Sequence, residues 1–98
     1  MAVTLEQVKT YLRVDLDIED DLIKHCMQGA ESYLVNAIDN FTENCKHEDF
    51  DASADILRLA VIAEMYVHRD SLNEKTEFPY FIRSMITQLQ NYVPAGVP

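Results

Sequence analysis

The stretch from Ser53 to Asp70, SADILRLAVIAEMYVHRD, constrains the fold more than any other part of this chain. It holds no glycine and no proline, and Ile56, Leu57, Leu59, Ala60, Val61, Ile62, Ala63, Met65, Tyr66 and Val67 leave little room for a polar face. At 100° per residue, Asp55, Arg58 and Arg69 fall on one narrow arc, and Glu64 and His68 fall on a second arc nearly opposite. Two apolar flanks lie between these arcs, so the helix needs neighbours on both sides. Ser53 is the expected N-cap, with Asp55 in the first turn and His68 and Arg69 in the last, as the helix dipole favours. Ala60 and Ala63 mark the expected points of closest approach by other helices. The segment is too short and too charged to cross a bilayer.

The flanking sequence supplies those neighbours. Thr4-Leu5-Glu6-Gln7 reads as a capping box, opening a short helix to about Arg13 that buries Leu5, Val8, Tyr11 and Leu12. Asp17 is the expected cap of a second helix from about Ile18 to Phe41. There Leu22, Ile23, Cys26, Met27, Ala30, Tyr33, Leu34, Ala37, Ile38 and Phe41 keep a spacing of three and four. Gly29 interrupts it, at a helical cost of roughly 1 kcal/mol relative to Ala, and suggests a close approach by another helix. Residues 42–52 read as a polar loop with Phe50 folded onto the core, and residues 71–78 as a second loop. Pro79 suits the first turn of a last helix, with Phe81, Ile82, Met85, Ile86, Leu89 and Tyr92 in one stripe. Residues 93–98 read as an extended tail. The expected fold is all-α: a small bundle of about four helices, with a long second helix and a central buried third. The 98 residues fit a single domain, 1–98.

A formal charge of −9 argues against a protein that grips phosphate backbones, which needs clustered Lys and Arg. It also disfavours anionic membranes. The start of the chain lacks the basic and apolar runs of a signal peptide, so Cys26 and Cys45 are expected to stay reduced. Asp15, Asp17, Glu19, Asp20 and Asp21 resemble a cation loop, but the sixth and twelfth positions of such a loop hold Asp20 and Cys26 instead of Gly and Glu. Helix-dipole compensation explains the cluster. His25, Cys26, Cys45, His47 and His68 have no zinc-site spacing. Glu64 and His68, at i and i+4, read as a side-chain or intersubunit contact rather than an acid–base pair. No catalytic, cofactor-binding or metal-binding residues are expected, and no enzyme activity.

One resemblance goes further. Residues 3–15, VTLEQVKTYLRVD, then Asp20-Asp21-Leu22-Ile23 and Ala30-Glu31-Ser32-Tyr33-Leu34, resemble the opening of the tailed-bacteriophage head–tail connector family, also called adaptor or DNA-packaging proteins. Residues 60–69, AVIAEMYVHR, and 82–89, IRSMITQL, resemble that family's third and fourth helices. Two departures stand out: Asn40-Phe41-Thr42-Glu43-Asn44 where such proteins often have Gly and Pro, and His68 where the family has Asn. The resemblance implies a homo-oligomeric ring of about a dozen copies under the portal protein. Such a ring extends the DNA channel without binding the DNA specifically, and docks a tail-side connector or stopper protein. It would assemble in the host cytoplasm and reside at the virion head–tail junction. Arg58, Arg69 and Arg83 are the expected cationic partners for a neighbouring subunit's carboxylates, with Glu64 and His68 as further subunit contacts. The alternative is a small acidic helical regulator that binds a host or phage protein.

Overall fold

Five helices succeed one another: α1 (Leu5–Leu12), α2 (Asp20–Ala37), α3 (Phe41–Asn44), α4 (Glu48–Val67) and α5 (Tyr80–Gln90), with no strand among the described residues. The computed structural model describes residues 3–68 and 78–93. Arg69, residues 71–77 of the second expected loop and the tail from residue 94 lie outside them. The fold is the expected all-α bundle, with the third long helix, α4, at its centre. It packs on α2, α5 and α1.

Local chemistry sets α1. The Gln7 N–H donates to Thr4 Oγ1 at 3.2 Å and the Thr4 N–H donates to Gln7 Oε1 at 2.8 Å, which completes the capping box. Arg13 ends the helix in the left-handed region at φ 61°. Val8 is fully buried, but Tyr11 is 53% exposed rather than in the core, because only one edge of α1 meets α2 and α4. Asp17 does not cap α2. It lies 2.7 Å from Lys9 Nζ, which also reaches Asp20 at 2.8 Å, while Glu19 precedes the helix without a side-chain cap bond. The acidic cluster is therefore partly neutralised by Lys9 as well as by the helix dipole. The hydrogen bond from Lys9 holds the Asp17 carboxyl below its ordinary range.

α2 is shorter than its apolar stripe. It stops at Ala37, Ile38 is extended, and Asn40 adopts φ 59°, a conformation that Asn tolerates better than most residues. The chain then turns into α3, so Ile38 and Phe41 still reach the core, at 0% and 2% exposure. The Asp39 N–H donates to Gln90 Oε1, and Gln90 Nε2 donates back to Asp39, which fastens this corner to α5.

The central helix begins earlier than Ser53. His47 is its N-cap, and Glu48, Asp49 and Asp51 occupy the first turn, where the dipole favours them. The acidic run that reads as a loop is thus a helix start. Phe50, Ala54, Leu57 and Val61 form one buried stripe. Phe50 stacks edge-on against Phe41 at 5.7 Å and against Tyr92 at 4.9 Å. The Tyr92 hydroxyl donates to Asp49 at 2.7 Å, tying the end of α5 to the start of α4. α2 and α4 run antiparallel: Glu19 meets Tyr66, Gly29 meets Met65 and Glu31 meets Arg58. Ala30 and Ala54 are fully buried, whereas Ala60 and Ala63 are half-buried. On α5, Ile82 and Leu89 are buried, whereas Phe81 is 58% exposed and leaves the expected stripe.

Gly29 is not required by a close helix contact. A Cβ there would meet Met65 Sδ at 3.6 Å, an ordinary van der Waals distance. Gly29→Ala should therefore raise stability by about 0.5–1 kcal/mol in urea unfolding, while Ala54→Leu should lower it by about 1–3 kcal/mol. A destabilising Gly29→Ala would contradict this packing.

The Asp49–Tyr92 tie predicts a pH profile. The Tyr92 hydrogen bond, aided by the Phe50 N–H, lowers the Asp49 pKa below 3.8, and desolvation followed by the bond to Asp49 raises Tyr92 above 10.0. Stability from a lowered carboxylate is present above its unfolded pKa and lost as pH falls through its folded one. Stability from a raised phenol is present below its unfolded pKa and lost as pH rises through its folded one. The drop in Tm caused by Tyr92→Phe should hold steady between those limits and shrink in strong acid and strong alkali. A constant drop across both limbs would contradict the tie.

Candidate assembly surface

The charge expected to face a neighbour lies inside the molecule. Arg58 is only 6% exposed. Its Nε and Nη2 donate to the two Glu31 oxygens at 2.7 and 3.0 Å, and Nη1 donates to Asp55 at 2.8 Å, with Asp51 at 3.7 Å. Nη2 also lies 3.6 Å from the Cys45 sulfur, and the guanidinium carbon sits 5.0 Å from the centre of the Phe41 ring. Burial alone favours the neutral guanidine, but the Glu31 bonds and charge, then Asp55, outweigh it and hold the pKa above its ordinary value. Within the subunit Arg58 is therefore an internal clamp between α2 and α4 rather than an exposed charge. The helical arcs show its angular position on α4 but not its partner. Glu31, beside the buried Ala30, is the residue that sequence reasoning missed.

The other expected contact residues are dispersed. Glu64 and His68 meet each other at 3.3 Å along α4, with His68 at the C-cap. Arg83 is exposed on α5. Arg69 lies outside the described residues. Lys9 is committed to Asp17 and Asp20, and Lys46 pairs with Glu43 at 3.1 Å. That leaves Arg13, Lys24 and Arg83 as the cations with no carboxylate within 4.0 Å among the described residues.

Apolar side chains are also left on the surface. Leu16 and Ile18, in the α1–α2 linker, are 68% and 87% exposed, and Tyr80 and Phe81, opening α5, are 76% and 58% exposed. The sequence hides these features: Ile18 reads as the start of a helix and Phe81 as a member of a core stripe. A small recess of about 200 Å³ beside Arg58, walled by Val3, Met27, Ala30 and Ile62, is mostly apolar. It holds no nucleophile or acid–base pair. Cys26 is buried and Cys45 half-buried, both as free thiols. Among the described residues no group of three or more His, Cys, Asp or Glu side chains could hold a metal ion, and no helix is long and apolar enough to cross a membrane.

The family model described as phage gp6-like head-tail connector protein matches residues 2–93. Searches of curated proteins and of solved structures return no match.

The internal clamp carries its own prediction. Arg58→Ala leaves three carboxylates crowded without their cation and should cost about 3–5 kcal/mol in urea unfolding. Arg58→Lys should restore only part of this, because an ammonium makes neither the two-pronged bond to Glu31 nor the flat contact on Phe41. An Arg58→Ala loss below about 1 kcal/mol, the range of exposed ion pairs, would contradict the clamp.

Proposed function

This chain belongs to the phage gp6-like head-tail connector protein family, whose role is structural and lies at the junction of head and tail, and from that premise we propose that it is one subunit of a ring under the portal protein. The ring has about a dozen copies around a closed symmetry axis. It lengthens the DNA channel and offers a docking face to the next tail-side connector or stopper protein. The family match over residues 2–93 is the observation that carries this reading. The formal charge of −9 supports it, since a channel through which DNA slides must not bind it. Assembly takes place in the host cytoplasm, before the ring becomes part of the virion. Arg83, Arg69, Glu64 and His68 are proposed subunit contacts, and Arg58 stabilises the subunit from within.

Each copy repels the next, and salt weakens that repulsion because the Debye length is about 8 Å at physiological ionic strength. Light scattering over a salt series should therefore show association of the isolated chain, or of the chain mixed with portal rings, increasing with salt. A duplex DNA titration at physiological salt should show no measurable affinity. Tight, salt-sensitive DNA binding would overturn the conduit, and a monomer that never joins itself or the portal would overturn the ring.

A further inference from the structure

The core lies on one side of α4, and a second apolar face lies on the other. Ala52, Ile56, Leu59, Ala63 and Val67 follow one another at steps of four, three, four and four residues, which keeps them within an arc of about 80° on the helix surface. That arc is centred about 150° from the buried stripe of Phe50, Ala54, Leu57 and Val61. Ile56 is 55% and Val67 65% exposed, Ala52 is exposed, and Leu59 and Ala63 are half-buried. α1 supplies a bank to this strip: Tyr11, itself exposed, lines an open recess together with Leu59, Glu6 and Gln7.

The spacing gives the shape of what fits. Apolar side chains at steps of four and three are the pattern by which one helix receives another, with knobs at Ile56, Leu59 and Val67 and shallow places at Ala52 and Ala63. From Ala52 to Val67 the helix rises by about 22 Å, or about four turns. The charge gives the composition of the partner. α4 carries Glu48, Asp49, Asp51, Asp55 and Glu64 against Arg58 alone, and Arg58 is buried against Glu31 and Asp55. Glu6 on the recess wall and Glu48, one turn before Ala52 on the same face, have no cation within 4.0 Å among the described residues. A second copy's α4 would bring the same five carboxylates, and like charges facing one another across an interface are unfavourable. The strip therefore suits a helix of a different protein, one with Lys or Arg beside its apolar residues.

We infer that the outer face of α4, bordered by Tyr11, is a docking groove for an amphipathic α-helix of another protein that carries Lys or Arg along its apolar stripe. Affinity comes from removing Ile56, Leu59 and Val67 from water, while Glu6 and Glu48 favour cationic flanks and oppose acidic ones. The face belongs to a single subunit, so it exists whether or not copies form a ring.

Three synthetic peptides of about three heptads are the probes: one with Leu at a and d and Lys at e and g, one with the same Leu but Glu at e and g, and one that scrambles the first. Fluorescence anisotropy at physiological salt should show saturable, one-to-one binding of the first and binding at least about tenfold weaker for the other two. Ile56→Glu and Val67→Glu, each with wild-type helix content by circular dichroism, should weaken the first peptide by about tenfold or more. Phe81→Glu, on α5, should leave its binding unchanged. Amide chemical-shift changes in the wild type should fall on Tyr11 and the outer positions of α4, which decides the matter should either α4 variant fail to fold. No binding of the first peptide, equal binding of the scrambled one, full binding by Ile56→Glu or shifts elsewhere would each overturn the groove. A wild-type dimer in sedimentation velocity that excludes the peptide and is lost in Ile56→Glu would overturn it too, because a second copy would then be the occupant.

Discussion

A guanidinium at 6% exposure dictates much of this structure. Arg58 cannot be withdrawn from water without anions and acceptors in fixed places, because an unpaired buried charge costs several kcal/mol. Glu31 faces it from α2, and that contact, with the Tyr66–Glu19 hydrogen bond nearer the start of α2, fits the antiparallel register of α2 against α4. Asp55 and Asp51 must sit one and two turns N-terminal on α4 itself, so the helix has to extend back through the acidic run. Phe41 lies on the guanidinium face, where the chain has left α2 at Ala37, turned through Asn40 and come back as α3. Such a cluster adds little to stability compared with a well-packed apolar substitute. Its contribution here is one register and one corner.

The aromatic contacts extend that arrangement to α5. Phe41 leans on Phe50, Phe50 on Tyr92, and Tyr92 on Asp49, so the start of α4, the corner after α2 and the end of α5 form one unit. Gln90 and Asp39 close the same corner from the other side.

What the sequence makes legible is what depends on neighbours within a turn or two. The Thr4–Gln7 capping box, the α2 residues Ile23, Cys26, Ala30 and Leu34 with Leu22 and Met27 beside them, and the α5 residues Ile82, Met85 and Leu89 are local patterns that the structure reproduces, whereas Tyr33 of the same α2 stripe is exposed. The misplaced features all depend on distant partners. Glu48, Asp49 and Asp51 look like a loop until Phe50 is seen packed on Phe41 and Tyr92. Asp17 looks like a cap until Lys9 claims it. Arg58 looks like a surface charge because periodicity gives its direction on the helix but not what faces it. Tyr11 and Phe81 show the converse error: a helix can carry a wider apolar stripe than its neighbours cover. No local pattern separates that uncovered remainder from the core.

The internal commitment of Arg58 and Lys9 leaves an acidic surface on which Arg13, Lys24 and Arg83 have no carboxylate within 4.0 Å among the described residues. The central claim is positional: this chain occupies the head–tail junction as a ring. Electron cryomicroscopy of the purified phage particle that carries it tests this most directly. The account predicts density for the five-helix subunit repeated around the DNA axis between portal and tail. A mature particle with a well-resolved junction in which this subunit is absent would contradict it.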